Sequence, residues 1–414
     1  MVTALSMPGG DVMRQARRLQ DVRYDLRGEI LETARALEAE GRSVVQLNLG
    51  NPGQYGLNPP DWLVDAVRDA VGSSNTYTDS RGLLHARESV AARYVERGVP
   101  SAHPDRVFLG NGVSELILMT IQALVDPGDE VLIPAPDYPL WTAALRLCGG
   151  TAVHYPCVED DGWAPDLDRL EDLVSERTKA VVLINPNNPT GAVYPPETVR
   201  RIARIADRHG LVLLSDEIYD EIIFDDSVPF TSAAEVGDDA RTITFGGLSK
   251  VWRAAGYRGG WLLLSEGLSR ETDVIEGLDL LANLRLCPNT MAQHGVAAAA
   301  RRFGASDVLI GPDGPLRRRR DTVVDALARI DGVDCVTPAG ALYAFPRIDA
   351  ARFDFDDDQD LALTLLKQEC LLLSHGSGFN LTGDPHLRIV FLADEALLED
   401  SCDRLARHLD GRRL

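Results

Sequence analysis

The chain reads as an α/β protein built on a mostly parallel sheet of seven strands, with a smaller α+β domain beside it. Three observations predict this. From about residue 105, short runs rich in Val, Ile and Leu alternate with Gly/Pro/Asn turns and amphipathic helical stretches. After about residue 300 that alternation stops and a long helical stretch leads into short strand-like segments. At 414 residues the chain is too long for one small core, so two domains are expected.

The elements follow in order. ILETARALEAEGR has helical apolar spacing and ends at a glycine suited to a C-cap, Gly41. VVQLNLGNPG reads as a short strand entering a turn, and residues 61–72, DWLVDAVRDAVG, as a helix. The seven apolar runs are VFLG (107–110), EVLIPAP (130–136), TAVHYP (151–156), AVVLINP (180–186), LVLLSDE (211–217), TITFGG (242–247) and GGWLLLS (259–265). Helices such as SELILMTIQALV and PETVRRIARIADRHG lie between them. Beyond residue 300, RRRRDTVVDALARI is a helix, VDCVTPAGALYAFPRI a strand pair, and HLRIVFL a strand. Residues 1–60 are read as an N-terminal arm belonging to the small domain, 61–300 as the large domain and 301–414 as the C-terminal small domain. The basic run Arg317–Arg320 is expected to be a solvated helix end, and the acidic FDFDDDQD (353–360) an exposed loop.

Composition narrows the function. With 45% hydrophobic and 25% charged residues the chain is an ordinary globular protein. A formal net charge of −21 argues against nucleic acid or an anionic membrane as a partner. Six scattered cysteines without a C-x-x-C pair read as reduced thiols, and eight histidines without ligand spacing leave no metal site to expect. Neither a signal peptide nor a membrane span is evident, so the expected location is the cytoplasm.

In a parallel α/β sheet, ligands collect beyond the carboxyl ends of the strands. There the polar residues of this chain fall: Asn111, Gly112, Val113 and Ser114 after the first run, Asp137 and Tyr138 after the second, and NPNNPTG (185–191) after the fourth. Asp216, Glu217 and Tyr219 follow the fifth run, Ser249 and Lys250 the sixth. A lysine amine shielded at a strand end is a nucleophile toward a carbonyl. A neighbouring carboxylate, Asp216, could keep a ring nitrogen protonated, although a lone Asp after a strand more often caps a helix or a turn. GNGVSELI offers a glycine turn and a helix N-terminus to an anion, with the Arg258 guanidinium available to complete the clamp. Arg388 interrupts the apolar strand HLRIVFL and needs either a structural ion pair or a carboxylate ligand.

Taken together, NPNNPTG, SDEIY and LSKVWRAAGYRGG resemble the class I/II aminotransferases of fold type I, from about residue 20 to the end of the chain. YDLRG (24–28), LNLGNP (47–52), PAPDYPLWTAA (134–144), NPNNPTGAVY and AGALYAFP (339–346) further resemble the bacterial glutamate–pyruvate (alanine) transaminases. The resemblance implies a large domain that binds pyridoxal 5'-phosphate, held as a Schiff base by Lys250, which also moves the substrate proton. It implies that Asp216 pairs with the ring nitrogen, that Asn188 and Tyr219 bond the phenolic oxygen, and that Tyr138 stacks on the ring. Gly112, Val113, Ser114, Ser249 and Arg258 would hold the phosphate, and Tyr77 would reach the phosphate of a partner subunit in a homodimer with shared active sites. Arg388 would grip the α-carboxylate of the substrate, with Gly50 and Asn188 beside it. Tyr24 and Arg27 are candidates for closing the side-chain pocket and pairing with a distal carboxylate.

The activity implied is ping-pong transamination of small amino acids and 2-oxo acids, between L-alanine/pyruvate and glutamate/2-oxoglutarate. The alternative is a secondary-metabolic aminotransferase with another amino acid substrate. Two departures stand out: Gly247 where the aspartate branch has serine, and LLLSHGSGFNLTGDPH ahead of Arg388, which is expected at the substrate mouth.

Overall fold

The computed structural model describes residues 14–19, 22, 29–225, 227–237 and 239–414. Helix α1 (Glu29–Ala39) buries Ile30, Ala34 and Leu37 along one stripe. It stops where Gly41 adopts φ +86°, a left-handed turn that costs glycine nothing. Strand β1 (Val45–Gln46) then pairs in parallel with Leu371–Leu372, so the segment after α1 is tied to the region beyond residue 300. Helices α2 (Asp61–Ala70) and α3 (Leu84–Glu96) follow.

The large sheet is built from β2 (Val107–Asn111), β3 (Glu130–Ala135), β4 (Thr151–Val158), β5 (Ala164–Pro165), β6 (Thr178–Ile184), β7 (Val212–Asp216), β8 (Thr242–Gly247) and β9 (Gly259–Leu264), in the order β2-β9-β8-β7-β6-β3-β4-β5. Between the strands run α4 (Val113–Leu124), α5 (Leu140–Leu147), α6 (Leu167–Asp172) and α7 (Pro196–Arg208). All seven apolar runs are strands; the eighth, β5, is a two-residue antiparallel partner of the end of β4, too short for alternation to signal it. The β3–β4, β3–β6, β6–β7 and β7–β8 pairs are parallel, whereas β9 lies antiparallel between β2 and β8. β7, β8 and β9 are buried along their whole lengths, since helices cover both faces of the sheet. One core cluster gathers Phe108, Trp141 and Phe245, another Leu132, Val181 and Leu213.

Past residue 300, Val333–Asp334 pairs with Arg347–Ile348, the strand pair read from the sequence. Tyr343–Ala344 and Ser374–His375 flank Leu387–Val390, all antiparallel, which places Arg388 in the middle strand of a three-stranded sheet.

Two surface expectations are corrected. The run Arg317–Arg320 is a set of anchors rather than a solvated end: Arg317 donates to Ile310 O, Arg319 to Leu392 O, and the Arg320 guanidinium lies 4.8 Å from the Phe224 ring centre. Their long stems pack while the heads reach carbonyls, which sequence charge alone does not reveal. In FDFDDDQD, Phe353 is buried, Asp357 caps the next helix, and buried Asp358 accepts from Ser377 N and Oγ. Among the described residues, no helix is long and apolar enough to cross a membrane, and no group of three or more His, Cys, Asp or Glu could hold a metal.

Candidate active site

Because β2, β3, β6, β7 and β8 point the same way, the residues that follow them meet at one edge of the sheet. β9 runs the other way, so the residue preceding it, Arg258, arrives at that same edge. A cavity of about 420 Å³ lies there.

One wall is a cradle at the start of α4. Gly112 is its N-cap with φ 83°, and no side chain caps the helix. The first-turn amides are therefore turned toward the cavity edge with the positive end of the helix behind them. Val113 and Ser114 line the cavity, and so does Arg258. Arg258 has a left-handed backbone, φ 57°, unfavourable by about 1–2 kcal/mol for a residue with a Cβ. Its guanidinium is pinned by Ala255 O at 2.9 Å and Asn111 O at 3.3 Å. A Cβ on Gly112 would collide with that guanidinium, and a Cβ on Gly260 would come within 2.8 Å of Val113 N. Gly247 is explained in the same way: a Cβ there would lie 2.9 Å from Gly259 O, so the β8–β9 contact excludes serine.

The floor is acidic. Asp216 ends β7, fully enclosed, and accepts from Trp141 Nε1 at 3.4 Å and from Ile218 N at 3.3 Å. Burial pushes its carboxyl up to about 6, against those two hydrogen bonds and the charge of Lys250. Its neighbour Glu217 points away, into a pocket of donors made by Ser215 Oγ, Ser232 Oγ and Ala233 N. Burial pushes it to about 8.

Lys250 Nζ donates to Gly50 O at 2.6 Å and stands 6.0 Å from the Tyr219 ring centre. Burial holds the Tyr219 phenol well above its usual range, and its oxygen lies 2.6 Å from Tyr343 Oη.

The opposite wall belongs to Arg388, buried in its strand. It donates to Asn188 Oδ1 at 2.9 Å and to Asn48 O. Its guanidinium is 4.5 Å from the Tyr343 ring centre and 4.6 Å from that of Phe379. The two aromatic faces hold the plane of the guanidinium and favour its charged form.

Of the residues read from the sequence, Gly50, Val113, Ser114, Tyr138 and Asn188 line this cavity, together with Asp216, Tyr219, Ser249, Lys250, Arg258 and Arg388. Gly112 contributes its backbone turn behind Arg258. Tyr77 does not line the cavity of its own chain; it is 80% exposed, in a stretch held by Arg285 to Ser80 O and by Thr290 Oγ1 to Thr76 O. Tyr24 and Arg27 lie outside the described residues.

The segment LLLSHGSGFNLTGDPH is a correction. None of its residues lines the cavity. It backs the site instead: Phe379 packs behind Arg388, and Asn380 Nδ2 bonds Asp137 Oδ1 at 2.7 Å, beside Tyr138. Sequence reasoning missed Tyr343 and Trp141, although both sit inside stretches quoted above, AGALYAFP and PAPDYPLWTAA. It also missed Asn48. Each acts on a neighbour in space, and no local pattern marks that.

Comparison with known proteins gives a consistent picture. The model of the family "Aminotransferase class I and II" matches residues 42–405. An alanine aminotransferase of Mycobacterium tuberculosis is 48% identical over 396 residues, 95% of this chain and 92% of the relative. A glutamate-pyruvate aminotransferase of Escherichia coli is 45% identical over 400 residues, 96% of this chain and 98% of the relative. The crystal structure of an aminotransferase from Escherichia coli superposes with a TM-score of 0.95 at 44% identity, covering 98% of this chain and 100% of that one.

Proposed function

The chain belongs to the class I and II aminotransferases, and from that premise we propose that it moves an amino group between L-alanine/pyruvate and glutamate/2-oxoglutarate in ping-pong fashion. The observation that carries this reading is convergence. A lysine, a carboxylate, a helix-terminal anion cradle and a buried arginine, drawn from distant parts of the chain, share one cavity.

The family's cofactor, pyridoxal 5'-phosphate, fits these residues. The Gly112–Ser114 turn with Ser249 and Arg258 suits a phosphate, since a helix N-terminus, a hydroxyl and a guanidinium packed directly on Gly112 share the cavity. Asp216 suits a protonated ring nitrogen: its carboxyl, raised by burial, lacks only a cation to hold it ionised. Tyr138 lines the cavity as a stacking face, with Asn188 and Tyr219 as partners for the phenolic oxygen. When bound, the cofactor supplies the carbonyl that Lys250 captures and an electron sink that acidifies the α-hydrogen of an amino acid.

The chain does the rest. Arg388 orients the substrate α-carboxylate through its planar fork, with Asn188 and Asn48 O fixing the plane of the guanidinium. Lys250 Nζ, which Gly50 O holds beside the cavity, is placed to take the α-proton and return it as a positioned acid once freed. Ile117, Ile184 and Ile218 supply the apolar part of the cavity lining beside that transfer.

The test is a half-reaction screen. Holoenzyme mixed with single amino acids should lose its visible band with alanine and with glutamate, and keep it with bulky side chains. Silence toward both alanine and glutamate would remove the substrate assignment.

The working unit is a homodimer with shared sites. Tyr77 is exposed next to a run of exposed apolar residues, Leu280, Leu284, Leu286 and Met291, and Thr290 Oγ1 bonds Thr76 O at 3.4 Å. That patch suits a second copy, whose phosphate Tyr77 would reach. Mixing inactive Lys250→Ala chains with Tyr77→Ala chains should then restore sites that have both residues. No recovery on subunit exchange would mean that Tyr77 acts within its own chain or not at all. We assign the enzyme to the cytoplasm, in keeping with six free cysteines.

A further inference from the structure

We propose that Tyr343 is a positioning residue that couples the two halves of the site: its hydroxyl directs the hydroxyl of Tyr219, and its ring seats Arg388. This rests on the functional reading above and extends it to a side chain with no assigned role.

Tyr343 opens the short strand Tyr343–Ala344 and pairs with Val390, two residues beyond Arg388 on the neighbouring strand. Tyr343 and Tyr219 are each only 2% exposed. Their oxygens lie 2.6 Å apart and their rings meet edge to face, with centroids 5.8 Å apart at 83°. The Arg388 guanidinium sits 4.5 Å from the centre of the Tyr343 ring. The hydroxyl is also fixed from behind. A Cβ on Gly50 would come within 2.5 Å of it, so only glycine lets the tyrosine pack against the backbone whose carbonyl accepts from Lys250 Nζ. One side chain thus touches the proposed partner of the phenolic oxygen, the proposed carboxylate clamp and the turn that tethers the lysine.

The direction of the hydrogen bond follows from the roles. If Tyr219 gives its proton to the phenolic oxygen of the cofactor, its lone pair remains for Tyr343, so Tyr343 donates. A hydroxyl that accepts one hydrogen bond donates a stronger one. A stronger donor favours the anionic form of the oxygen it meets, and with it loss of the proton that this oxygen shares. Without the Tyr343 hydroxyl that proton is held more tightly, so the pH midpoint of the holoenzyme's visible band rises. The ring acts separately: an aromatic face beneath a desolvated guanidinium holds its plane and its charge.

The experiment is a spectral pH titration of four holoenzymes: the unaltered chain, Tyr343→Phe, Tyr219→Phe and the double variant. Tyr343→Phe should raise the midpoint by about half a unit. In the Tyr219→Phe background the same substitution should do nothing, because the effect passes through Tyr219. An unmoved midpoint, or an equal shift in both backgrounds, overturns the coupling. For the ring, the alanine concentration that half-converts the band should be about tenfold higher in Tyr343→Leu than in Tyr343→Phe. Equal values overturn the seating of Arg388. Should Tyr343→Leu fail to fold, the titration series still decides the hydroxyl's role. Absence of a visible band in the unaltered holoenzyme would instead remove the functional reading itself, and this inference with it.

Discussion

Replacing Lys250 with alanine should abolish the visible absorbance of the lysine Schiff base and reduce turnover by about 10⁴-fold or more, since both the covalent anchor and the positioned base are lost. The fold should survive. Lys250 Nζ has a hydrogen bond to Gly50 O and a distant approach to the Tyr219 ring, neither of which holds elements of the core together. The surrounding donors remain in place, so the variant should still bind the cofactor noncovalently through the Gly112–Ser114 turn and Arg258. A visible band that persists unchanged, or turnover within tenfold of the unaltered enzyme, would show that the nucleophile has been misassigned.

Asp216→Asn should lower turnover on the order of a thousandfold while leaving the site in shape. The amide is nearly isosteric, and its single oxygen can keep one of the two hydrogen bonds, from Trp141 Nε1 or from Ile218 N, but it cannot hold a proton on a ring nitrogen. The same variant carries an independent signature in the cofactor-free chain. Burial raises the Asp216 carboxyl from 3.8 to about 6 in the folded state. The sign is that of a raised group: its contribution to stability is complete below the unfolded value and is lost as pH rises through about 6. The cofactor-free Asp216→Asn chain should therefore gain stability relative to the unaltered chain between about pH 4 and 7, by up to ~3 kcal/mol. Denaturant melts of both chains across that range measure the difference. A difference that does not grow with pH would mean that Asp216 is solvated rather than desolvated. Adding cofactor should remove the advantage, because the ring nitrogen then compensates the buried charge.

Much of this was legible before any coordinates. The seven strands came from apolar runs, most continuous in β7, β8 and β9, where cover on both faces buries every position; β4, only partly buried, was legible by its Val and Tyr alone. Lys250, Asp216, Asn188 and the Gly112 turn were legible because parallel strands deliver their trailing residues to one edge, so order along the chain is enough to bring them together. β5 escaped because two residues show no period. Arg317–Arg320 and FDFDDDQD misled because charge density is read as exposure, whereas Arg319 ends on Leu392 O and Asp358 on Ser377.

The sequence by itself determined the layer architecture and the chemistry of the strand-end residues, and its motifs carried the resemblance to the aminotransferases. These properties are written in local periodicity and in spacing along the chain. Only the tertiary structure decided how those residues are held. It packed Tyr343 against Gly50, Tyr219 and Arg388 at once, set Trp141 on Asp216, and withdrew the segment before Arg388 from the cavity to brace it from behind. Such contacts join residues up to hundreds of positions apart through close packing, and nothing in the neighbouring sequence of either partner records them.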